Sequence, residues 1–120
     1  TDKKFHSLEL SSIAKSVSLK NGIDLKNGNY CWVLGPAYET SLEINYFQSL
    51  SGSAVGMSTL PEIREGGALG MKLLTLSLLT NFAAGISKKP LTHEEVLENA
   101  GNSKESMIKL LSGIIQGVEK

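Results

Sequence analysis

The chain has 120 residues, with 12 Lys and Arg against 12 Asp and Glu, so its formal net charge is zero. That length fits one domain, and the charge balance excludes the basic surplus of a nucleic-acid-binding face. Cys31 is the single cysteine, so no internal disulfide can form and a reducing compartment is expected. The polar N-terminus lacks the apolar core of a signal peptide. The longest apolar segment, 73–86, is shorter than the roughly 20 residues of a membrane span. We therefore expect a cytoplasmic protein that binds neither nucleic acid nor membrane.

Helical and extended patterns alternate along the chain. Apolar residues at helical spacing alternate with short apolar runs of strand length, and Gly or Pro separates many of them. Strands that alternate with helices imply right-handed crossovers and a mostly parallel sheet flanked by helices. The predicted fold class is therefore α/β. The predicted helices are 5–20, 41–50, 59–69, 93–99 and a last one after Asn102, and the predicted strands are 30–34, 54–57 and 72–79.

Capping patterns set the expected helix starts. A Ser, Thr or Asn followed three residues later by Glu allows reciprocal hydrogen bonds at a helix N-terminus. We expect such boxes at Thr40, Thr59 and Thr92, and a cap at Asn102 for the last helix. The last helix carries a wide apolar face. Its members are Met107, Ile108, Leu110, Leu111, Ile114, Ile115 and Val118.

Polar side chains follow each predicted strand. Glu39 comes after the first strand, the hydroxyls of Ser58 and Thr59 after the second, and Asn81 after the third. In an open parallel sheet, ligands bind outside the carboxyl ends of the strands. A carboxylate, a hydroxyl pair and an amide beside the ring of Tyr38 suit a planar ligand that forms hydrogen bonds.

Each of these side chains also has a simpler interpretation. Glu39 precedes a helix, where the helix dipole favours a carboxylate. Asn81 suits a turn. Met57, beside the hydroxyl pair, is a residue type that more often belongs to a core. Ser58 and Thr59 could each cap the following helix or bind a ligand, since an anion also binds at a helix start. His93 in a first helical turn is typical of a solvated histidine.

Several motifs are missing. The sequence contains no Gly-x-Gly-x-x-Gly after a strand, no phosphate loop of the Walker type and no Gly-x-Ser-x-Gly elbow. It also has no His/Cys cluster with metal-ligand spacing. The residues alone therefore define an α/β domain with a polar pocket at its strand ends and no predicted metal.

Taken together, four segments carry a specific resemblance. They are GPAYET at 35–40, AVGMSTLPE at 54–62, SLLTN at 77–81 and HEEV at 93–96, in this order. From Phe5 onwards the chain resembles the C-terminal half of the trimeric purine nucleoside phosphorylases. The family cleaves purine nucleosides with phosphate, releasing the free base and ribose 1-phosphate. The resemblance implies a nucleoside phosphorylase fold, no metal or organic cofactor, and a homotrimer for a full-length member.

The resemblance also implies roles for six residues. Glu39 would accept hydrogen bonds from N1–H and the 2-amino group of a 6-oxopurine, and Asn81 would contact its N7/O6 edge as charge develops there. The remaining roles are base and sugar packing by Tyr38, ribose contact by Met57, phosphate binding by Ser58 and contact with the 5′-hydroxyl by His93.

One departure from the family is expected to matter. The glycine-rich phosphate loop and the Arg/His phosphate contacts of the family come from its N-terminal half, and this chain has no such segment. We interpret residues 1–120 as a C-terminal portion: a truncated reading frame, a cleavage product or a shortened chain, inactive alone. The alternatives are a non-catalytic α/β fragment that binds purines weakly and a relative of the methylthioadenosine phosphorylases. The latter are expected to carry aspartate near the position of Asn81.

Overall fold

A computed structural model of the protein describes residues 2–90 and 92–120. A short 3-10 helix, Asp2–Phe5, precedes the regular elements. The predicted order of helices and strands is confirmed, with one exception at 72–79. The elements are α1 (Leu8–Lys20), β1 (Tyr30–Trp32), α2 (Ser41–Ser49), β2 (Ala54–Gly56), α3 (Leu60–Ala68), α4 (His93–Asn102) and α5 (Lys104–Val118). They belong to two units, which are described separately.

Unit 1 consists of residues 2–26, 59–77 and 103–120 and has its core between α1 and α5. Two glycines of α5 allow this close packing. A Cβ at Gly113 would lie 2.5 Å from Val17 Cγ1, and one at Gly117 would lie 2.7 Å from Ile13 Cγ2. Any larger side chain at either position would therefore push the helices apart. The buried centre is Ala14, Leu110 and Ile114, with Ile13, Val17, Ile23, Leu25, Leu74 and Leu76 packed around it.

The apolar face of α5 is wider than the surface that covers it. Of the seven predicted members, Leu110 and Ile114 are buried, whereas Ile115 is 60% exposed. A single helix packed on another covers one row of its side chains, namely those three and four residues apart. Helix α1 therefore covers only part of the apolar face of α5. Near the start of the same helix Lys109 Nζ lies 2.7 Å from Glu105 Oε1. This hydrogen bond and the nearby positive charge lower the pKa of the exposed Glu105 carboxyl.

The prediction of a strand over 72–79 is wrong. Among the described residues, pairing in this segment is limited to one parallel bridge between Leu73 and His6, supported by the Ser7 N–H, which donates to the Leu73 carbonyl at 2.8 Å. A strand persists only where a neighbour takes up its backbone hydrogen bonds. Leu74 and Leu76 instead pack against the α1–α5 core. The apolar run is therefore core-forming without being a regular strand.

Helix starts agree only in part with the predicted caps. Thr40 and Glu43 form the complete capping box of α2, and Thr92 Oγ1 accepts from the Glu95 N–H at 3.2 Å. Thr59 precedes α3 as predicted, but its φ is 87° and its side chain makes no capping hydrogen bond. At that φ the side chain is turned away from the geometry that a capping residue needs.

The predicted cap at Asn102 is also wrong. Helix α4 continues through Asn102, so Ser103 is the residue that precedes α5. A residue with helical backbone cannot serve as an N-cap, because an N-cap has extended φ and ψ angles.

Unit 2 consists of residues 27–58 and 78–102 and contains a two-stranded parallel ladder. Strands β1 and β2 pair with Tyr30 opposite Ala54 and Trp32 opposite Gly56. Both strands are three residues long and half-buried, and α2 lies between them in sequence, as in a parallel crossover. Over the described residues, no helix combines the length and the apolar character needed to cross a bilayer.

Candidate functional site

The two strands of unit 2 end side by side. Trp32 pairs with Gly56 at the last position of the ladder, and the Val33 N–H donates to the Gly56 carbonyl at 2.9 Å. Segments 33–40 and 57–58 therefore leave the same edge of the ladder. The predicted convergence of strand ends is confirmed for these two segments. The third segment, 72–79, is not a strand, so the placement of Asn81 at this edge stays a prediction.

Two aromatic side chains of β1 hold the segment after β2. The Tyr30 hydroxyl donates to the Ser58 carbonyl at 3.0 Å, and the Trp32 indole N–H donates to the Met57 carbonyl at 3.3 Å. These bonds join positions 28 and 25 residues apart in the chain. The two candidate residues that come after β2 are thus positioned by the sheet. Tyr30 and Trp32 were not among the predicted site residues, although their i, i+2 spacing in a strand could have indicated a shared face.

The Gly35-Pro36 turn lies against the thioether of Met57. Gly35 has a φ of 70°, and a Cβ built there would lie 2.5 Å from Met57 Sδ. Only glycine combines that backbone with that close approach. Met57 itself remains 38% exposed. The turn that leads to Tyr38 and Glu39 is therefore in contact with Met57, and Met57 is not a fully buried core residue.

Glu39 is separate from the cap of α2. The Glu43 carboxylate accepts from the Thr40 N–H at 3.3 Å and from the Thr40 hydroxyl at 2.9 Å. Glu39 takes no part in this box and is half-buried, while Tyr38 is 50% exposed. The capping box of α2 is therefore complete without Glu39, and the ligand role of Glu39 stays a prediction.

Asn81 is held by its nearest neighbours. Its Oδ1 accepts from the Thr80 hydroxyl at 2.7 Å, and its Nδ2 donates to the Phe82 carbonyl at 3.0 Å. The Thr80 carbonyl in turn accepts from Asn99 Nδ2. Both ends of the Asn81 amide are engaged in a local turn, which agrees with its simpler interpretation. A ligand would have to exchange these bonds for its own.

A small depression adjoins Asn81. Its volume is about 20 Å³ and its lining is Asn81, Phe82, Ser87, Lys89 and Glu95. That space accommodates about one water molecule. Lys89 and Phe82 were not predicted as site residues, and nothing in their sequence context distinguished them. His93, the first residue of α4, is exposed and does not line the depression.

Metal ligands were not predicted, and the described part of the chain contains no group of three His, Cys, Asp or Glu side chains arranged to hold a metal ion. The expectation that the chemistry needs no metal or organic cofactor stays a prediction, as do the six residue roles.

The parallel strand pair and the helices around it make this an α/β protein. The family model described as "Phosphorylase superfamily" matches residues 4–116, and the chain belongs to this family. "Purine nucleoside phosphorylase 1" of Bacillus subtilis is 38% identical over 111 residues, which cover 92% of this chain and 41% of that protein. "Probable 6-oxopurine nucleoside phosphorylase" of Dictyoglomus turgidum is 39% identical over 113 residues, 93% of this chain and 43% of that one.

Solved structures agree with this assignment. The crystal structure of Schistosoma mansoni purine nucleoside phosphorylase in complex with inosine aligns with a TM-score of 0.88 and 29% identity, over 96% of this chain and 42% of that chain. The predicted fold and the resemblance to purine nucleoside phosphorylases are therefore confirmed. The chain spans about two fifths of the length of these relatives.

Proposed function

We propose that the protein is a purine nucleoside phosphorylase, a pentosyltransferase that converts a 6-oxopurine nucleoside and phosphate into the free base and ribose 1-phosphate. The family match over residues 4–116 carries the proposal. The shared edge of β1 and β2 supports it, because that edge brings the Gly35–Met57 contact and the segment with Ser58 together.

The base side of the proposed reaction rests on Glu39 and Asn81. Glu39 accepts hydrogen bonds from N1–H and a 2-amino group, and Asn81 donates to the O6/N7 edge. As the C1′–N9 bond breaks, its electron pair moves to the purine, and the sugar becomes oxocarbenium-like. A donor at O6 or N7 stabilises the charge that develops there, so it acts more strongly in the transition state than in the ground state.

The sugar and phosphate are assigned to the other residues. Tyr38 packs on the base and sugar, Met57 lies against the ribose, and His93 reaches the 5′-hydroxyl. Ser58 helps to hold phosphate, the nucleophile that forms the new bond to C1′. The proposal needs no metal or organic cofactor. It places the protein in the cytoplasm, in purine salvage, and as a homo-oligomer, with a trimer expected for a full-length family member.

A non-catalytic role of the isolated chain is the second candidate. The small depression at Asn81 and the local bonds of its amide favour weak purine binding without turnover. A methylthioadenosine phosphorylase is less well supported, because Asn81 and Glu39 together match a 6-oxopurine rather than a 6-aminopurine.

Base choice in a chimaera tests the proposal. Residues 4–116 replace the matched segment of the Bacillus subtilis relative, and kcat/KM is measured for inosine, guanosine and adenosine. Adenine presents N1 as an acceptor, so its lone pair would oppose the carboxylate of Glu39. Sites built around a polar partner reject such analogues by roughly 10⁴-fold. We expect inosine and guanosine to be preferred, and Glu39→Gln to reduce the preference.

Glu98→Gln is the control for Glu39→Gln, since Glu98 is an exposed carboxylate on α4. Equal turnover of adenosine and inosine by the folded chimaera would contradict the proposal. So would equal effects of the two Gln variants on base choice.

A further inference from the structure

We infer that Tyr30 and Trp32 are positioning residues for the phosphate side of this site. They act through the backbone of Met57 and Ser58 and do not touch substrate themselves. The inference rests on the proposed function, and it adds two residues that neither the resemblance nor the family match assigns. It starts from the observation that two side chains of β1 donate hydrogen bonds to two consecutive backbone carbonyls, those of Met57 and Ser58.

Strand geometry brings both donors to one face. Side chains two residues apart in a strand point to the same side of the sheet, so Tyr30 and Trp32 share a face and Cys31 points to the other. In the ladder Tyr30 is opposite Ala54, yet its hydroxyl reaches the carbonyl of Ser58. The chain beyond Gly56 therefore turns back over the face that carries the two rings.

Glycine at position 56 makes this arrangement possible. A Cβ at Gly56 would collide with the hydroxyl end of Tyr30. The ring can lie across the end of β2 only because no side chain stands there. The close approach indicates that Tyr30 is seated against the strand and not extended into solvent, in agreement with its half-buried state.

A held carbonyl also orients the N–H of the same peptide. The peptide unit is planar and trans, so its C=O and N–H point in opposite directions. When the Trp32 indole holds the Met57 carbonyl, it sets the direction of the Ser58 N–H. When Tyr30 holds the Ser58 carbonyl, both peptide planes that flank the Ser58 Cα are set. The direction of the Ser58 side chain, the proposed phosphate ligand, follows from those two planes.

Because the segment is already ordered, it loses less conformational entropy when phosphate binds. Both rings are half-buried, and water can compete for the two carbonyls, so each bond has a moderate effect. Removal of one should weaken phosphate binding by about 3- to 10-fold, the range of a single net hydrogen bond. Binding of the base should not change, because the two donors bond to the backbone of Met57 and Ser58 and not to the residues assigned to the base.

The test is an NMR titration of the ¹⁵N-labelled 120-residue chain with inorganic phosphate, at constant ionic strength, and separately with hypoxanthine. The variants are Tyr30→Phe and Trp32→Phe, which remove the donors and keep aromatic rings. Tyr46→Phe is the matched control, because Tyr46 is a 61% exposed residue whose ring contact is with Phe47. We expect a raised dissociation constant for phosphate in the first two variants alone, and an unchanged one for hypoxanthine in all three.

The unmodified chain provides a second measurement that does not depend on variant folding. Trp32 is the single tryptophan, so its indole N–H gives one assignable resonance. That resonance should shift with phosphate in step with the Ser58 amide. A phosphate-dependent Ser58 amide with a constant indole resonance would overturn the inference, and so would equal losses of phosphate and hypoxanthine binding in the variants. A chain that does not bind phosphate would overturn the inference, whether or not it binds hypoxanthine, whereas the proposed function is overturned by the base choice of the chimaera.

Discussion

The segment after β2 and the amide of Asn81 are held in different ways. Met57 and Ser58 receive hydrogen bonds from side chains 25 and 28 residues away, whereas the amide of Asn81 bonds to the residues on either side of it. A long-range bond ties a loop to a rigid element, while a bond between neighbours shapes the loop only locally. The sheet therefore holds the phosphate side of the proposed site at two consecutive carbonyls. On the base side, the long-range bond from Asn99 of α4 reaches the Thr80 carbonyl and not the Asn81 amide itself.

Because of this difference, phosphate and a purine would require different amounts of rearrangement on binding. Phosphate meets a segment whose peptide planes are already set. At the proposed site, a purine would displace the bonds of the Asn81 amide and open the adjoining depression, which accommodates about one water molecule. Of the two ligands, the purine should thus cause the larger rearrangement of the isolated chain. The following changes test that comparison, from the largest expected effect to the smallest.

Activity of the isolated chain should show the largest effect. Phosphorolysis requires phosphate in line with C1′, and such positioning supplies about 7–11 kcal/mol of barrier lowering in favourable cases. A preorganised Ser58 alone does not hold a dianion in water with that accuracy. We expect no measurable release of ribose 1-phosphate from inosine by the 120-residue chain, beside the Bacillus subtilis relative as the active control. Turnover near that of the control would show that the described residues contain a phosphate site beyond Ser58.

Asn81→Asp should change base selectivity in the chimaera. A carboxylate cannot donate to O6, but it can accept from a 6-amino group. The loss of one transition-state hydrogen bond should cost about 2–4 kcal/mol for inosine, with a smaller loss for adenosine. The measurement is the ratio of kcat/KM for the two nucleosides. Asn102→Asp, at the exposed end of α4, is the control. An unchanged ratio would remove Asn81 from the site.

Gly35→Ala should disturb the contact with Met57. Alanine at positive φ costs about 1 kcal/mol or more, and Met57 must in addition leave its side-chain rotamer, at about 0.5–1.5 kcal/mol. Gly70→Ala separates the two costs, because Gly70 has a φ of 74° and nothing within 4 Å of a built Cβ. Urea unfolding should show a larger loss of stability for Gly35→Ala. Equal losses of unfolding free energy for the two variants would mean that the Met57 side chain moves without cost and is not packed on the turn.

Asn99→Ala should have the smallest effect and should act on the base side. It removes the donor to the Thr80 carbonyl, a bond that contributes about 1 kcal/mol. In the NMR titration we expect a shift of hypoxanthine binding with phosphate binding unchanged, the reverse of the Tyr30 and Trp32 variants. Glu98→Ala on the same helix is the control. A change in phosphate binding instead would show that the two segments are not held independently.

Local features of the fold could be predicted well from the sequence. The capping box at Thr40 and Glu43 and the end of α1 at Lys20 depend on a few adjacent residues, and both are as predicted. The strand over 72–79 and the cap at Asn102 were wrong for a common reason. Whether a partner strand takes up the backbone hydrogen bonds of an apolar run cannot be predicted from the run itself. In the same way, a capping pattern does not indicate whether the preceding helix continues through it.

The site divides along the same line. The family could be identified from the residue types at 38–39, at 57–58 and at Asn81 and from their order along the chain. Each of these motifs consists of residues that are adjacent in the sequence. The positions of Tyr30 and Trp32 over Met57 and Ser58 depend on the register of two strands joined by more than twenty residues, and on the space above Gly56. Register and close approach arise only when distant segments pack. The tertiary structure alone therefore decided how the phosphate side of the candidate site is held.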